Sequence, residues 1–203
     1  MTPTDGDSHV ETHRRPRPAA LPFAAIAAPD SYTLDNYHTF PNFTLDHLGV
    51  STIHGRFNKT AGKLTIDRAA KSGSIDLAVD TASVDTGDGD KGSRPRSRDE
   101  HLRSADFFNA AEFPKMTYKS TSVAFSGENP TTIDGNLTLL GVTKPLQLTV
   151  ERFKCNPPQG TGKERCGGNA TGKLKRSDFG MKTGIPNLGD EVTLHIEFEA
   201  LKD

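Results

Sequence analysis

From Ser31 onward, apolar and polar residues alternate along the chain with a period of two. The clearest runs are residues 75–80, 133–139, 146–151 and 192–199, in which alternate positions are apolar and the positions between them are mostly polar. Each run therefore has one apolar face and one polar face. This pattern predicts antiparallel strands that cover a hydrophobic core on one side.

Weaker strand patterns occupy residues 32–35, 42–47, 55–67, 115–126 and 170–176, which brings the expected number of strands to eight or nine. So many amphipathic strands can stack as a sandwich or close as a barrel, and closure removes the exposed edges. An eight-stranded barrel is just wide enough to hold one small or thin ligand. Turn signals separate the runs at Thr60-Ala61-Gly62 and at residues 71–73, 126–130, 140–142 and 187–190.

One segment interrupts the strand pattern with a charged cluster followed by two phenylalanines. It predicts a helical piece over Asp99–Asn109, and a further turn is expected at Leu48–Ile53. A polar collar beside Phe107 and Phe108 suits the mouth of an apolar cavity. It equally suits a buried clip under a loop, and the residues alone leave both readings open.

Composition narrows the class of protein. The chain has 203 residues, 33% of them hydrophobic and 25% charged, with a net charge of -1. That length suits one β-domain with an extra segment. The near-neutral net charge gives no indication of a basic surface that would bind nucleic acid. No apolar run is long enough to form a transmembrane segment.

The first thirty residues do not share the strand pattern. Residues 1–17 are polar and aperiodic, which predicts disorder. Basic residues, a short apolar run at 19–28 and a small-x-small site at 25–27 then follow, in the layout of a secretory signal. The run is short and contains a proline. We therefore expect residues 1–30 to be a disordered leader or a degenerate signal peptide.

The two cysteines bracket a proline- and glycine-containing loop, residues 156–165, that cannot pack a core of its own. A bond between Cys155 and Cys166 would remove chain entropy worth about 3 kcal/mol. The pair therefore predicts a disulfide in an oxidising compartment, and two free thiols are the alternative. The spacing does not fit C-x-x-C redox chemistry or a zinc knuckle.

No motif for catalysis, a metal or a cofactor stands out. The charged loop over residues 87–98 contains Asp88-Gly89-Asp90 but lacks the glycine that an EF-hand requires at its sixth position. The histidines form no ligand motif. The chain has no G-x-S-x-G sequence and no cysteine nucleophile beside a histidine. These observations favour a protein that is not an enzyme and needs no cofactor.

Eight segments carry residue combinations that are specific as a set. They include His47-Leu48-Gly49-Val50-Ser51, Arg98-Asp99-Glu100-His101-Leu102-Arg103-Ser104-Ala105-Asp106-Phe107-Phe108, Phe113-Pro114-Lys115-Met116-Thr117-Tyr118 and Arg176-Ser177-Asp178-Phe179-Gly180, with further pieces at 32–40, 55–57, 82–86 and 135–144. Together they resemble the YceI family of bacterial lipocalin-like polyisoprenoid-binding proteins. The resemblance covers roughly Tyr32 to Ala200. The Cys155–Cys166 loop is similar to that of the disulfide-bearing subgroup.

The resemblance implies an all-β fold: an eight-stranded antiparallel lipocalin-like β-barrel with a short helical insert, over residues 31–203. It implies a carrier for a long isoprenoid lipid of the polyprenyl pyrophosphate or quinone type, in a periplasmic or secreted setting. The connection between Asp85 and Asp99 is longer than the family pattern, so we expect a differently shaped mouth. A homodimer is a further expectation. The alternatives are a structural or stress-related β-domain without bound lipid, or an uncharacterised enzyme.

The candidate site residues fall into two sets. Inward strand positions and the loop aromatics are expected to line the lipid tunnel, although each one alone could be ordinary core. A polar set near the mouth could form a network that recognises the head group, or plain structural ion pairs. The tunnel candidates are Phe43, Leu45, Leu77, Val79, Phe107, Phe108, Met116, Tyr118, Leu137, Phe179, Leu194 and Ile196, and the polar candidates are Asp99, His101, Arg176 and Asp178.

Overall fold

The computed structural model describes Met1, residues 28–160 and residues 162–203. The leader expected over residues 1–30 lies mostly outside the described residues. The first strand begins at Asp30, one residue before the start expected for the domain.

The described residues form eleven β-strands, one short α-helix and two single 3₁₀ turns. Strands and helix are joined mostly by short connections. The strands are β1 (Asp30–Leu34), β2 (Phe40–His47), β3 (Ser51–Phe57), β4 (Thr60–Asp67), β5 (Ser72–Asp80), β6 (Val84–Asp85), β7 (Lys115–Ser126), β8 (Asn129–Leu139), β9 (Val142–Asn156), β10 (Arg165–Lys175) and β11 (Leu188–Lys202). The helix α1 spans Arg98–Arg103, and the 3₁₀ turns span Thr81–Ser83 and Arg176–Phe179.

Eight strands close into a ring in the order β1-β4-β5-β7-β8-β9-β10-β11, because β11 pairs back to β1. All neighbours in the ring are antiparallel. The remaining strands, β2, β3 and β6, extend from β11 beside the ring. The expected all-β, eight-stranded antiparallel barrel with a short helical insert is confirmed.

The prediction of one strand over residues 55–67 with a turn at Thr60-Ala61-Gly62 was wrong in detail. The chain breaks earlier, at Asn58 and Lys59, and residues 60–62 lie inside β4. Gly62 serves strand packing instead, since a Cβ there would lie 2.4 Å from the carbonyl oxygen of Asp76 on β5. The β1–β2 connection holds the break, because the Asn36 side chain accepts a hydrogen bond from the Thr60 backbone N–H at 2.9 Å.

The helix starts one residue before the predicted Asp99 and ends at Arg103, six residues before the predicted end, and a capping box fixes its start. The Ser97 hydroxyl accepts from the Glu100 N–H at 3.1 Å, and the Glu100 carboxylate accepts from the Ser97 N–H at 2.8 Å. After Arg103 the chain turns, which packs Phe107 and Phe108 into the barrel core.

The turn expected at Leu48–Ile53 is confined to residues 48–50, and β3 begins directly after it. Leu48 and Gly49 both have positive φ angles, 62° and 66°. The Val50 N–H donates to the His47 carbonyl at 3.0 Å, which closes a two-residue hairpin turn.

The barrel has two distinguishable ends, which we call the loop pole and the disulfide pole. The loop pole consists of the 181–189 loop and the β2–β3 turn (residues 47–51). The disulfide pole consists of a second small core cluster (Tyr32, Leu64, Ile66, Cys166 and Ala200) and the polar groups around it. Leu188 pairs with His47 at one end of β11 and Ala200 pairs with Cys166 at the other. Twelve residues of strand separate these two pairs, or about 40 Å along the chain.

Candidate functional site

A single large cavity lies inside the ring. Its volume is about 170 Å³, more than ten times the roughly 10–15 Å³ that one water molecule needs, so it is not a packing defect. All eight ring strands contribute to its wall, together with β2, β3 and the segment that follows α1. The lining includes Leu34, Pro41, Phe57, Leu64, Ile75, Leu102, Ile133, Leu139, Leu146, Leu148, Ala170, Leu174, Met181, Val192 and Phe198.

The cavity surface is made entirely of carbon atoms from the described residues. Three threonines and Arg176 contribute to the wall, but none of their polar atoms reaches the surface. Thr39 illustrates the reason, because its hydroxyl donates to the Glu199 carbonyl at 3.1 Å and accepts from the Glu199 N–H at 3.2 Å. The space therefore favours hydrocarbon over any polar ligand.

Eleven of the twelve apolar candidates from the sequence line this cavity. The period-two pattern brings nine of them there, because alternate residues of each strand face the interior of a barrel, and the turn after α1 brings Phe107 and Phe108. Their role as ligand contacts stays a prediction. The eleven are Phe43, Leu45, Leu77, Val79, Phe107, Phe108, Met116, Tyr118, Leu137, Leu194 and Ile196.

Phe179 is the exception among the apolar candidates. It is buried in the barrel core but does not line the cavity. It is the last residue of the 3₁₀ turn Arg176–Phe179, and its side chain packs against the core beside the cavity. The aromatic character of the residue did not distinguish a core position from a wall position.

Two glycines that the sequence reading did not single out shape the wall. A Cβ at Gly55 would lie 2.3 Å from the Phe43 ring, and a Cβ at Gly135 would lie 2.4 Å from the Tyr118 ring. Both glycines lie inside strands, where a missing side chain often marks a close approach. They let these two aromatic rings lie flat against the sheet and leave the interior open.

Tyr118 turns its hydroxyl into the sheet and away from the cavity. The hydroxyl donates to the carbonyls of Ile133 at 3.2 Å and Leu146 at 3.1 Å. Burial raises the pKa of Tyr118, and the nearby Asp134 charge adds to the effect. The hydroxyl therefore stays protonated, and its aromatic ring acts as apolar wall.

Arg176 is 3% exposed and directs its guanidinium at the 181–189 loop. Its Nε donates to the Gly189 carbonyl at 2.8 Å, and its Nη2 donates to the Leu188 carbonyl at 3.0 Å. Its Nη1 donates to the carbonyls of Met181 at 3.1 Å and Thr183 at 2.9 Å. Desolvation lowers the pKa of Arg176, and the Asp190 charge partly opposes that shift. Four of its five N–H donors therefore hold the loop in place.

The other polar candidates do not share hydrogen bonds or ion pairs with Arg176, and their part in head-group recognition stays a prediction beside the alternative of structural pairing. The Asp99 carboxylate accepts from the backbone N–H and the hydroxyl of Thr86, at 3.0 and 2.7 Å. His101 pairs with Asp106 at 2.9 Å. Asp178 is exposed. Partners other than Arg176 hold Asp99 and His101, and none of the three residues lines the cavity.

The expected disulfide is present between Cys155 and Cys166, which are paired residues of β9 and β10. Arg68 brings its Nη2 to 2.9 Å from the Cys155 sulfur. The buried Tyr32 hydroxyl donates to the Glu164 carboxylate beside it. Burial, reinforced by that hydrogen bond, raises the pKa of Tyr32 to about 12.

Two groups of side chains among the described residues have the spacing of metal ligands, and neither favours a metal. In the first group, Asp35, His38 and Glu199, the carboxylates of Asp35 and Glu199 already share the guanidinium of Arg165. The second group contains both cysteines of the disulfide, whose sulfurs cannot act as thiolate ligands.

No helix in the part of the chain that the structure describes has the length and apolar character required to cross a membrane. The described helix α1 has only six residues.

Comparisons with known proteins place these observations in context. The family model of the YceI-like domain matches residues 32–200. Protein YceI of Escherichia coli O157:H7 is 37% identical over 180 residues, covering 88% of this chain and 90% of the relative. Protein YceI of Salmonella heidelberg is 38% identical over the same shares of the two chains.

Solved structures have the same fold. The crystal structure of the Campylobacter jejuni YCEI protein aligns with a TM-score of 0.63 and 30% identity, over 78% of this chain and 90% of that one. A polyisoprenoid binding domain from Saccharophagus degradans aligns with a TM-score of 0.58 over 85% of this chain and 98% of that one. Its identity is 18%, so this second likeness speaks for the fold alone.

Proposed function

The chain belongs to the YceI-like family, and from that premise we propose that it binds and carries a long-chain isoprenoid lipid in the barrel cavity. The observation that carries the proposal is the cavity wall, which exposes only carbon inside a closed ring of strands. The Saccharophagus degradans neighbour, which shares the fold, is described as a polyisoprenoid binding domain, and this is why we choose an isoprenoid as the hydrocarbon to test.

A polyprenyl chain gains affinity from its length. Each CH₂ group removed from water contributes about 0.8 kcal/mol, while ordering the flexible chain takes back part of that gain. Because the wall offers no hydrogen-bond partner, affinity should rise with the number of isoprene units and depend weakly on the head group.

The polar head of the lipid, a pyrophosphate or a quinone, belongs outside the apolar space. Of the four polar candidates, only Arg176 lines the cavity, and four of its N–H donors are engaged with the loop. Its guanidinium does not reach the cavity surface, so we expect it to act on a phosphate or quinone oxygen only through its positive charge near the loop pole. Asp99, His101 and Asp178 are weaker candidates, because none of them lines the cavity.

We propose carriage without catalysis. The carbon surface of the cavity supports this, because it presents no nucleophile, acid or base to an enclosed ligand. An exported, oxidising location is part of the same proposal. The disulfide supports it, since such bonds persist in secreted and periplasmic proteins.

The proposal is tested by filling the cavity. Val79 is buried in the wall on β5, so Val79→Trp should remove the bound lipid by occupying its space. Asp76→Trp places the same side chain on the same strand at an exposed position, so it should leave the lipid content unchanged. Mass spectrometry of organic extracts from both purified variants measures the effect.

A lipid of defined mass in the wild type and in Asp76→Trp, but absent from a folded Val79→Trp, supports the proposal. A full lipid content in folded Val79→Trp overturns it, because the ligand would then lie elsewhere. A wild type without lipid, which also fails to take up added polyprenol, would favour the alternative of a β-domain without a ligand.

A further inference from the structure

Apart from Met1, the described residues expose only four large apolar side chains, and three of these lie together at the loop pole. Leu48 and Val50, on the β2–β3 turn, are 56% and 83% exposed, and Ile185, on the 181–189 loop, is 36% exposed. The two segments are joined by a hydrogen bond from the Leu48 N–H to the Asn187 carbonyl at 2.7 Å. We call these three side chains the apolar tip.

The apolar tip stands in two segments that carry little charge. Residues 48–53 and 183–189 contain no Asp, Glu, Lys or Arg, in a chain with 25% charged residues. The Asp46 carboxylate reaches the turn, where it accepts a hydrogen bond from the Gly49 N–H at 2.8 Å. Because this carboxylate is engaged by the backbone, the segments offer little to pair with a charged protein partner. Such a surface suits a lipid environment, in which burying a charge is unfavourable and burying an apolar group is favourable.

The backbone of the turn carries a conformational cost. Leu48 has a φ of 62°, a conformation that Asn, Asp and Gly adopt far more readily than Leu. The strained position presents an apolar side chain to solvent. Strain combined with apolar exposure at one turn points to a functional contact outside the chain.

The apolar tip is also close in sequence to residues of the cavity wall. Leu45 lies three residues before Leu48 and lines the cavity, and Met181, four residues before Ile185, lines it as well. Arg176 holds the connecting loop through four carbonyl groups. The tip is therefore presented in a fixed shape, and docking would require little further ordering.

We propose that the apolar tip docks on the surface of an uncharged phospholipid bilayer, where the barrel loads or releases its ligand. The proposal rests on the proposed lipid-carrying function and adds the place of exchange. Leu48, Val50 and Ile185 enter the interface between head groups and acyl chains, and the uncharged loop backbone lies at head-group level. Three side chains give weak, reversible attachment, which suits exchange rather than anchoring.

The experiment uses the full chain and vesicles of phosphatidylcholine, separated from free protein by flotation. The wild type should associate with the vesicles, and raising the salt to about 0.5 M should leave the association unchanged, because no ionic attraction is involved. Leu48→Asp combined with Val50→Asp should reduce the bound fraction at least tenfold. This variant should fold, since Asp tolerates the positive φ at position 48.

Tyr37→Asp is the matched control. Tyr37 is 82% exposed, but it precedes the Phe40 end of β2, about 25 Å along that strand from the turn. It should bind vesicles like the wild type. Equal association of the wild type and the double variant overturns the proposal, as does a wild type that does not associate with vesicles at all.

Two further measurements separate the alternatives. If the double variant converts a dimer to a monomer in light scattering, the apolar tip is an interface between two copies of the chain, and the bilayer proposal fails. The lipid extracted from each variant reports on the cavity independently. Loss of vesicle binding with normal lipid content supports docking, whereas an empty wild-type barrel contradicts the proposed function itself.

Discussion

The two poles of the barrel each contain a partly or fully buried arginine, and the two side chains are held in opposite ways. At the loop pole, Arg176 donates to four backbone carbonyls, and no carboxylate of the described residues lies within 4 Å of it. At the disulfide pole, Arg68 is 30% exposed and has carboxylates of Asp30 and Glu164 at 3.5 and 3.6 Å.

The difference separates two ways of closing a barrel end. The loop pole depends on one side chain, because the carbonyls that Arg176 gathers come from a loop with few other constraints. The disulfide pole is redundant, because strand pairing, a covalent bond and several ion pairs act on the same residues. We therefore expect the loop pole to yield first when it is perturbed, and the disulfide pole to tolerate the loss of single side chains.

The largest effect is expected from Arg176→Met. The substitution keeps the apolar stem but leaves the carbonyls of Met181, Thr183, Leu188 and Gly189 without their donor. We expect a loss of about 3–5 kcal/mol in the free energy of unfolding, measured by urea denaturation. Arg176→Lys should recover only a small part, since one ammonium group cannot reach four acceptors. A loss below about 1 kcal/mol would contradict the single-residue dependence of this pole.

Removal of the disulfide should have the next largest effect. Cys155→Ala combined with Cys166→Ala should lower the free energy of unfolding by about 3 kcal/mol, because the bond restricts the unfolded chain. The lipid content should remain normal, since neither cysteine lines the cavity. Reduction of the wild type gives a matched comparison. Loss of the lipid in the folded variant would show that the two poles are coupled.

Arg68→Ala should cost about 1 kcal/mol, because its ion pairs are partly exposed and its neighbours are otherwise held. Urea denaturation in the same buffer as for Arg176→Met makes the two arginines directly comparable. If Arg68→Ala lowers the free energy of unfolding as much as Arg176→Met does, an arginine held by carbonyls is no more important to stability than one held by carboxylates. Arg68→Ala should also be measured in the variant that lacks both cysteines. A smaller cost in that variant would show that Arg68 acts through the Cys155 sulfur, which lies 2.9 Å from its Nη2.

A smaller effect is expected from acid at the loop pole. Hydrogen bonds from the Ser177 hydroxyl at 2.7 Å and the Ser177 N–H at 2.9 Å hold the pKa of Asp190 below its usual value of 3.8. A lowered carboxyl pKa contributes stability above that usual value, and the contribution is lost as the pH falls through the lower value of the folded protein. Asp190→Asn should therefore flatten the acid side of the stability profile.

Asp178→Asn is the control for this measurement, because Asp178 is exposed on the same 3₁₀ turn. Lowering the pH from about 5 to about 2 should reduce the urea midpoint of this control by the same amount as that of the wild type. If Asp190→Asn follows the wild-type profile as well, the carboxylate does not stabilise the turn.

The sequence predicted the barrel well because its signal is local and repeated. Every strand that faces a cavity must alternate, so residues 75–80 or 192–199 reveal their inward face without knowledge of their neighbours. The same logic found nine wall residues on the strands, while Phe107 and Phe108 came from the segment after α1. It could not find the wall glycines at positions 55 and 135, because their role depends on aromatic rings carried by other strands.

The misplaced features depend on contacts between distant residues. The break before β4 is held by Asn36, which lies twenty-four positions earlier in the chain. The hydrogen bonds of Arg176 go to backbone carbonyls up to thirteen residues later in the chain. Every residue has such a carbonyl, so the sequence does not indicate which ones accept. An arginine near a predicted mouth was therefore interpreted as a ligand contact, whereas its geometry is that of a loop clamp.

The ring is closed by its own first and last strands, and this fixes how the molecule can be held. Lys202 reaches Asp30 with a contact of 2.7 Å, and the Asp203 N–H donates to the Ser31 carbonyl at 2.9 Å. A fusion partner, or a linkage to a surface, is therefore attached at the same side of the barrel whichever end of the domain carries it. The 181–189 loop then points away from the attachment. Ends this close also suit circular permutation, in which a short linker joins them and new ends are opened elsewhere.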